Sequence, residues 1–397
     1  MPIYLDNNAT TRADPSVVQA MLPFFTEQFG NASSAHAFGR EVATAVKQAR
    51  QSLQGLLGNA YDHEIVFTSG GTEANNTAIL SALATQDGRD EIVTTSVEHF
   101  ATLALVEQLV TRGVKTHVIP VDSLGRLDIE AFRRALGTRT AIASVMWANN
   151  ETGTIFPVEY LAGLTREAGA LFHTDAVQAI GKVPIDLKDS AIDMLSLSAH
   201  KLHGPKGIGA LYLRKGTKFR PLIWGGSQER RRRGGTENIP GIVGLGKAAE
   251  LAAERLEPER VRIGALRDRL EQAILRNDDC VVLGDARNRL PNTASIAFEH
   301  LEGEAILHHL NRAGIAASLG SACSSGSMEP SHVLRAMHLP ARSLRGAVRF
   351  SLSRETTVDE VDHVVCALSD IVAHLRAMSR EQINPVSDTS SSRELTS

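Results

Sequence analysis

The chain has 397 residues, a formal net charge of −3 and a hydrophobic fraction of 43%, which together describe a globular protein of ordinary composition. This charge balance gives no reason to expect nucleic acid as the main partner, and no apolar run approaches the roughly 18–20 residues needed to cross a bilayer. The N-terminal residues lack the basic region and apolar core of a secretory signal, so the expected compartment is the cytoplasm.

The first two-thirds of the chain alternates short apolar stretches with helical patterns. Strands are predicted at Glu64–Thr68, Glu91–Ser96, Thr116–Pro120, Ala141–Met146, Ala170–His173, Met194–Ser198 and Gly209–Leu213. Helices are predicted between many of them, for example at Thr72–Leu83, Ala101–Arg112 and Val158–Ala168. This alternation predicts an α/β domain with a mainly parallel, seven-stranded sheet that is covered on both faces.

The sequence pattern changes near residue 257, after which shorter α+β elements begin. Val261–Arg276 is predicted as a charged amphipathic helix, and Val358–Met378 as a closing helix. The final residues are rich in Ser, Glu and Arg and poor in apolar residues, a composition typical of disorder. We therefore expect three parts, a large domain (14–257), a smaller α+β domain (1–13 and 258–378) and a disordered tail (379–397).

A glycine-rich turn, "TSGGTEANN", follows the first predicted strand and leads into a helix. The backbone amides of Gly71 and Thr72 and the Thr72 hydroxyl could hold a phosphate at that helix N-terminus. The stretch lacks the GK[ST] ending of a nucleotide-binding P-loop and the spacing of a GxGxxG fingerprint, so neither ATP nor NAD is favoured. Taken alone, such a stretch is more often only a turn.

Polar residues follow the later strands, and ligands collect at the carboxyl ends of strands in an open α/β sheet. They are His99, Asp175, Gln178, Ser198, His200 and Lys201, together with the "WANNETG" stretch. Each has an ordinary explanation by itself, since Asp175 could be only a helix cap. Together they supply an aromatic ring, an acid, amide donors and a lysine beside a phosphate cradle, which are the groups that pyridoxal phosphate requires.

Lys201 is the residue expected to bind that cofactor covalently. A Schiff base needs an amine that can be neutral, and partial burial favours the neutral form. Among the nine lysines of the chain, only Lys201 follows a strand into a Ser-x-His-Lys turn. Lys206 is the nearest rival, but its "GPKG" context indicates an exposed turn.

The three cysteines lie far apart and form no CxxC or zinc-like cluster, so neither a disulfide framework nor a resident metal site is expected. Cys366 lies in a helical pattern, and Cys280 lies at the edge of a short predicted strand. Cys323 differs because its stretch, "SLGSACSSGSMEP", is rich in Gly and Ser and has no apolar periodicity. An accessible thiol on such a loop is a candidate nucleophile.

Several motifs occur in a fixed order between Tyr4 and about Met378: "YLDNNATT", "EIVFTSGGTE", "VEH", "NNETG", "HTDAVQ", "SLSAHKLHGPKG", "RRRRGGTEN", "GSACSSGS" and "VRFSLSR". With these motifs the chain resembles the pyridoxal-phosphate cysteine desulfurases. Two longer stretches, "FHTDAVQAIGKVPIDLKDSAIDMLSLSAHKLHGPKG" and "LPNTASIAFEHLEGEAIL", are most similar to the nitrogen-fixation branch, the NifS proteins. The resemblance implies the aminotransferase-like fold of type I pyridoxal-phosphate enzymes.

The resemblance also implies roles for individual residues. It makes Lys201 the Schiff-base lysine, His99 the imidazole that stacks on the cofactor ring and moves protons, and Cys323 the nucleophile that removes sulfur. The further cofactor contacts that it implies come from Thr72, Asn150, Asp175, Gln178, Ser198, His200 and, across a homodimer interface, Thr236. The substrate contacts that it implies come from Asn7, Asn150 and Arg349.

The activity implied by the resemblance is conversion of L-cysteine to L-alanine, with the sulfur left on Cys323 as a persulfide. An iron–sulfur scaffold protein of NifU type is the implied acceptor, and contact of Cys323 with an iron–sulfur cluster would be confined to that transfer. The likeness to NifS favours a role in nitrogenase maturation over general iron–sulfur cluster assembly.

Other functions stay open on the sequence alone. An aminotransferase or a selenocysteine lyase of the same fold would use the residues up to Lys201 equally well, whereas Cys323 favours desulfuration. A non-catalytic binding protein would be expected to have lost Lys201 or Asp175. A metal site at "HKLH" or at His308 and His309 lacks familiar ligand spacing. The "ERRRRGG" run is more typical of a solvated loop or a subunit interface than of RNA binding.

Overall fold

The computed structural model describes residues 2–320 and 330–383. Its strands are β1 (Ile3–Tyr4), β2 (Ile65–Thr68), β3 (Glu91–Thr95), β4 (Lys115–Ile119), β5 (Thr140–Ser144), β6 (Leu171–Asp175), β7 (Met194–Ser198), β8 (Gly209–Leu213), β9 (Cys280–Val282), β10 (Thr293–Phe298), β11 (Ile315–Ala316) and β12 (Ala347–Ser351). Its helices are α1 (Pro15–Met21), α2 (Pro23–Thr26), α3 (Ala37–Leu56), α4 (Gly71–Thr85), α5 (Phe100–Thr111), α6 (Ile129–Ala135), α7 (Val158–Glu167), α8 (Gln228–Arg231), α9 (Ile239–Ile274), α10 (Gly303–Arg312), α11 (His332–Ala336), α12 (Ala341–Arg345) and α13 (Val358–Ile383).

The central sheet of the described chain has seven strands in the order β2-β8-β7-β6-β5-β3-β4. The neighbours from β7 to β4 pair in parallel, whereas β8 pairs antiparallel with both β7 and β2. Because two antiparallel pairings restore the original direction, β2 ends at the same edge as the parallel strands. The predicted seven-stranded, mainly parallel α/β sheet is confirmed.

Helices cover both faces of this sheet. α4 and α5 pack on one face through a cluster that includes Ala78, Ile79 and Leu109. The opposite face contacts a larger cluster, to which α3, α7 and the first half of α9 contribute buried side chains. Every residue of β2, β3, β5, β7 and β8 is buried. Burial on both faces explains why β2 and β8 are nearly continuous apolar runs, whereas β3, β5 and β7 also bury Thr and Ser residues.

A second hydrophobic cluster surrounds two smaller sheets. β10 pairs antiparallel with β9 and β12, and β1 pairs in parallel with β11. Ile3 and Leu5 from the N-terminal segment join this cluster, together with side chains from the second half of α9, α10 and α13. The N-terminal residues therefore pack beside the C-terminal part of the chain and extend from there to the central sheet.

The long helix α9 crosses residue 257, where the sequence pattern suggested a boundary. The prediction of a separate helix starting at Val261 is wrong, because α9 is continuous from Ile239 to Ile274 with Pro258 inside it. Proline removes one backbone donor, but its fixed φ is compatible with helical backbone. The division into two domains at this position stays a prediction.

The C-terminal helix α13 continues to Ile383, beyond its predicted end at Met378. The rest of the predicted disordered tail, residues 384–397, lies outside the described residues. None of the described helices is both long enough and apolar enough to cross a membrane.

We expect Arg50→Ala to destabilise the fold by about 3–5 kcal/mol, because it leaves the buried carboxylate of Glu229 without its counter-ion. Arg50 Nη2 and Nη1 donate to the two carboxylate oxygens of Glu229 at 2.7 and 3.1 Å, and both residues are buried. Urea unfolding followed by circular dichroism measures the change. The matched control is Arg269→Ala, which breaks an exposed pair with Asp362; an equal loss in both variants would contradict the prediction.

Candidate active site

The carboxyl edge of the central sheet opens into a cavity of about 280 Å³. Its walls come from the segments that follow β2, β3, β5, β6 and β7, joined by the N-terminal segment and by β12. Ten of the predicted site residues line this cavity: Gly71, Thr72, His99, Asn150, Asp175, Gln178, Ser198, His200, Lys201 and Arg349. They meet although they are distant in sequence, because strands that run in the same direction end at the same edge.

An anion cradle lies at one end of the cavity, where α4 begins. The amides of Gly71 and Thr72 belong to the first turn of α4, where backbone donors have no partner within the helix. A Cβ atom at residue 71 would lie 2.7 Å from Cγ2 of Val177, so glycine is what allows this close approach. Ser198 and His200 line the same end and add a hydroxyl and an imidazole.

The imidazole of His200 is neutral in this setting. Burial and the charges of Lys201, Lys206 and Lys182 lower its pKa to about 4. Its Nδ1 lies 3.1 Å from Oγ1 of Thr10. When Nδ1 accepts a hydrogen bond from that hydroxyl, Nε2 carries the ring proton and can donate it to an anion.

Asp175 lies at the end of β6 and is only 6% exposed. Its Oδ2 accepts a hydrogen bond of 2.6 Å from Nδ2 of Asn75, and its Oδ1 accepts one of 2.9 Å from the backbone amide of Val177. These two donors fix the orientation of the carboxylate at the cavity wall. A carboxylate held in this way can keep the ring nitrogen of a bound heterocycle protonated.

His99 is fixed as the N-cap of α5. Its Nδ1 accepts a hydrogen bond of 3.0 Å from the backbone amide of Ala101, which leaves the ring proton on Nε2. Burial lowers the pKa of His99; the Asp175 carboxylate opposes this effect and the charge of Lys201 adds to it. His99 therefore lines the cavity as a neutral ring with an exchangeable proton on Nε2.

Lys201 follows β7 directly, at the end of a 3₁₀ turn over Ala199–Lys201. Its Nζ donates to the backbone carbonyl oxygens of Asn8 and Ala9 at 2.5 and 2.7 Å. The side chain is partly buried and lines the cavity. Lys206, by contrast, lies in an exposed turn. Lys201 is thus the lysine that the fold brings to the centre of the predicted site.

Arg349 on β12 is a fully buried cation, with 2% of the residue exposed. Its Nη1 donates to the carbonyl oxygens of Asn150 and Gly320 at 2.8 and 2.9 Å, and its Nη2 donates to Oδ1 of Asp6 at 2.8 Å. Its buried Nε has no hydrogen-bond partner among the described residues. The guanidinium nevertheless belongs to a residue of the cavity wall, and a guanidinium there is suited to bind a carboxylate.

The structure brings Asn8, rather than Asn7, to this cavity. The Asn7 side chain donates to the carbonyl oxygens of Tyr4 and Ser351 at 3.2 and 2.8 Å and lines a separate, smaller cavity. The backbone carbonyl of Asn8 accepts hydrogen bonds from both Gln178 and Lys201. A substrate contact from Asn7 stays a prediction that this arrangement does not favour.

Two further predicted residues are not in the cavity wall. Thr236 is exposed and is not among the cavity residues of its own chain, so its contact across a subunit interface stays a prediction. Cys323 lies outside the described residues. Gly320, three positions before Cys323 in the sequence, lines the cavity.

Sequence reasoning missed several cavity residues. Glu151 follows Asn150 in the "NNETG" stretch, is 2% exposed, and accepts a hydrogen bond of 2.5 Å from the Ser331 hydroxyl. Burial raises its pKa to about 7. Asn75 could have been found from its helical spacing of four residues from Gly71. His332 on α11 gave no signal in the sequence.

The donors at this cavity fit pyridoxal phosphate. An anion cradle, a supported carboxylate, a neutral imidazole and a lysine amine line one space, and each is a partner that a different part of this cofactor needs. In the described part of the chain, no group of three or more His, Cys, Asp and Glu side chains is placed to hold a metal ion. The histidines of the "HKLH" stretch instead contact Thr10 and the Arg12 carbonyl.

The fold and this cavity define an aminotransferase-like protein, and the aminotransferase class-V family model matches residues 3–364. The chain belongs to that family. It is 82% identical over 382 residues to a cysteine desulfurase of Bradyrhizobium diazoefficiens, covering 96% of this chain and 97% of the relative. It is 60% identical to the cysteine desulfurase NifS of Azotobacter vinelandii, covering 95% and 94%. A solved NifS-like protein superimposes with a TM-score of 0.88 at 38% identity, covering 95% of this chain and all of that one.

We expect Glu98→Gln to weaken the pH dependence of stability. Glu98 is completely buried, and burial, with a smaller contribution from the charge of Asp175, raises its pKa from 4.5 to about 8. Between pH 4.5 and 8 the folded chain therefore keeps a proton that the unfolded chain has released, so stability falls as pH rises, by up to ~1.4 kcal/mol per pH unit.

Urea unfolding at several pH values between 5 and 8 tests this expectation. The variant should lose less stability than the wild type on going from pH 5 to pH 8, because an amide does not titrate. Equal changes in the two proteins would show that Glu98 is not the proton-binding group. His173→Asn is a useful contrast, since burial lowers the pKa of His173 to about 3 and its effect on stability appears only as pH falls below 6.5.

Proposed function

We propose that the protein is a pyridoxal-phosphate-dependent cysteine desulfurase, which converts L-cysteine to L-alanine and takes up the sulfur on Cys323. The observation that carries this proposal is the meeting of Lys201, Asp175 and His99 at one cavity, whose wall includes Gly320 just before Cys323 in sequence. The names of the relatives, cysteine desulfurase and NifS, support the same activity.

Pyridoxal phosphate is the cofactor proposed for the cavity. Its phosphate would lie against Gly71, Thr72, Ser198 and His200, its ring nitrogen against Asp175, its phenolic oxygen against Gln178, and its ring against His99. Lys201 would hold it covalently through Nζ. When bound, this cofactor withdraws electrons from an attached amino acid and so acidifies its Cα–H bond.

The residues around the cofactor would bind and orient the amino acid. Arg349, which lines the cavity, would bind the substrate carboxylate, and the neighbouring Asn150 would contact cofactor or substrate. Lys201, which lines the cavity and donates through Nζ to the carbonyl oxygens of Asn8 and Ala9, would take the proton from Cα. His99 can carry a second proton through Nε2, since its Nδ1 is committed to the Ala101 amide.

Cys323 would act as the nucleophile. Its thiolate attacks the sulfur of L-cysteine, so that an S–S bond forms while the substrate C–S bond breaks. The electron pair and a proton go to the former substrate carbon, which gives L-alanine, and Cys323 keeps one additional sulfur as a persulfide. No external oxidant is required, because the carbon is reduced as the transferred sulfur is oxidised.

The transferred sulfur would pass to an iron–sulfur scaffold protein of NifU type. The likeness to NifS supports a role in nitrogenase maturation, and general iron–sulfur assembly is the alternative destination. Contact of Cys323 with iron–sulfur cargo would belong to this transfer rather than to a resident metal site. We place the activity in the cytoplasm on the strength of the sequence alone.

Another class-V pyridoxal-phosphate activity, such as that of an aminotransferase or a selenocysteine lyase, is the second candidate. It is favoured by the family match itself, which covers the cavity residues without requiring a thiol. Alanine production from selenocysteine that persists without Cys323 would support a lyase. Amino-group transfer to a 2-oxo acid would support an aminotransferase.

We expect Cys323→Ala to lower alanine formation from L-cysteine by roughly 100-fold or more, because the nucleophile is lost. The visible absorbance of the bound cofactor should be unchanged, because Lys201 still holds it. Single-turnover reaction with L-cysteine, followed by non-reducing peptide mass spectrometry, should find one extra sulfur on the Cys323 peptide of the wild type.

Two other cysteines provide matched controls for this test. Cys366 is exposed and Cys280 is partly buried, so Cys366→Ser and Cys280→Ser change thiols that lie outside the cavity wall. Both controls should form alanine at the wild-type rate. Undiminished alanine formation by Cys323→Ala would contradict the desulfurase mechanism and favour the second candidate.

We further propose that the protein acts as a homodimer in which Thr236 reaches the cofactor of the other subunit. Large apolar side chains are exposed in two stretches of the surface: Leu22, Phe25, Phe29 and Phe38 in the first, and Leu222, Ile223 and Trp224 in the second. The rings of Phe29 and Phe38 stack with centroids 5.8 Å apart. The second stretch precedes Thr236 in the sequence. The same segment of the chain would therefore provide both the apolar surface and the residue that reaches the cofactor of the other subunit.

We expect a Phe29→Asp, Trp224→Asp double variant to be monomeric under conditions where the wild type is a dimer, because charges would enter an apolar interface. Phe29 and Trp224 are each 69% exposed in the isolated chain. Light scattering after gel filtration measures the mass of each protein. Val261→Asp, at an apolar position with 67% exposure on α9, is the matched control. A monomeric wild type, or a double variant that remains dimeric, would argue against this interface.

A further inference from the structure

A partly buried lysine that no part of the proposed mechanism uses lies next to the site. Lys182 comes four residues after Gln178 in a series of turns, and its Nζ donates a hydrogen bond of 2.9 Å to Oε1 of Gln178. The Nε2 of Gln178 then donates 2.9 Å to the carbonyl of Asn8, which also accepts from Nζ of Lys201. Lys182 and Lys201 are therefore joined through one amide side chain and one carbonyl oxygen.

The hydrogen bonds to Lys182 and to the Asn8 carbonyl together determine which way the Gln178 amide points. An ammonium group only donates, so the atom of Gln178 that faces Lys182 must be the carbonyl oxygen. The amide nitrogen of Gln178 is consequently directed to the Asn8 side, where Gln178 lines the cavity. The Asn8 carbonyl, which only accepts, favours the same orientation, so Lys182 and Asn8 together keep a donor where a donor is needed.

The two lysines also line a second, smaller cavity of about 40 Å³. This volume is sufficient for one or a few water molecules. The titratable and charged residues around the cavity besides Lys182 are Lys201, His203, Glu259, Arg260 and Arg354. Glu259 is committed to Arg354 at 3.3 Å. Two more groups, which do not line this cavity, repel a positive charge on Lys182: Arg349, and His200 when it is protonated.

Positive charge on Lys182 and positive charge on Lys201 disfavour each other. Burial, together with the charges of Lys201 and Arg349, lowers the pKa of Lys182 to about 7. Electrostatic coupling between two titrating groups is mutual, so a charge on Lys182 acts equally against a proton on Lys201.

We propose that Lys182 is a positioning residue of the reaction: it holds the Gln178 amide in one orientation and, as a second cation beside the shared cavity, favours the neutral amine of Lys201. This inference rests on the proposed function, since a neutral Lys201 amine matters because it must bond covalently to the cofactor. It assigns a role to the lysine of the "AIGKVPID" stretch, which is partly buried beside the site.

The test compares the wild-type holoenzyme with Lys182→Met, Lys182→Gln and Lys182→Arg. Titration of the visible cofactor absorbance between pH 5.5 and 9 reports the proton at the Lys201–cofactor bond, and steady-state kinetics with L-cysteine give kcat and KM. Lys182→Met should raise the titration midpoint by about one pH unit, as expected when a nearby like charge is removed, and should lower kcat about tenfold.

The other two variants separate the two effects. Lys182→Gln can still donate to Gln178 but carries no charge, so it should recover kcat in part while its midpoint stays raised. Lys182→Arg keeps both a donor and a charge, so its midpoint should match that of the wild type. Lys188→Met removes an exposed lysine from the same connection and should change neither quantity.

An unchanged midpoint in Lys182→Met, or a raised midpoint that Lys182→Arg does not restore, would overturn the inference. In either case a normal cofactor spectrum in the wild type would leave the proposed function standing. A wild-type protein that shows no visible absorbance after addition of pyridoxal phosphate would instead count against the proposed function itself. The two failures are therefore distinguishable in one set of spectra.

Discussion

The site depends on one buried charge. Burying a guanidinium is costly unless its donors are satisfied, and Arg349 satisfies most of its own through Asp6, the Asn150 carbonyl and the Gly320 carbonyl. These partners belong to the N-terminal segment, to the connection after β5, and to the segment after β11. Satisfying this one side chain therefore requires three distant parts of the chain to meet against β12, and the wall of the cavity is formed where they meet.

The same region keeps several ionisable groups in their neutral forms. Burial raises the pKa of Glu98 to about 8 and that of Glu151 to about 7, and it lowers the pKa of His200 to about 4. A site of low polarity strengthens every remaining electrostatic interaction inside it. The Asp175 carboxylate and the Arg349 guanidinium, which both line the cavity, therefore dominate the field that a substrate would meet.

Much of this arrangement could be predicted from the sequence, for identifiable reasons. Apolar stretches bounded by turn residues predicted the sheet, and polar residues at the strand ends predicted most of the cavity wall. Both predictions were possible because these features depend on local sequence pattern and on strand direction. What could not be predicted depends on long-range packing. The choice of Asn8 over Asn7 follows from how the N-terminal segment packs after β1 pairs with β11, and His332 arrives on a helix whose position no local pattern specifies. Likewise, nothing local distinguished a helix that crosses residue 257 from one that stops there.

The loop that carries Thr236 is already ordered within its own chain. Glu229 is paired with Arg50, and Arg233 contacts Glu73 in the first turn of α4 at 3.0 Å. A loop that must become ordered on association loses conformational entropy at that moment, which weakens binding. Here that entropy is lost during folding of the single chain, so two subunits could meet as preformed surfaces. The ion pair between Arg233 and Glu73 also holds this loop against the helix turn that provides the anion cradle. In the proposed homodimer, the contact that forms the subunit interface would therefore also bring the other subunit's Thr236 to the cradle.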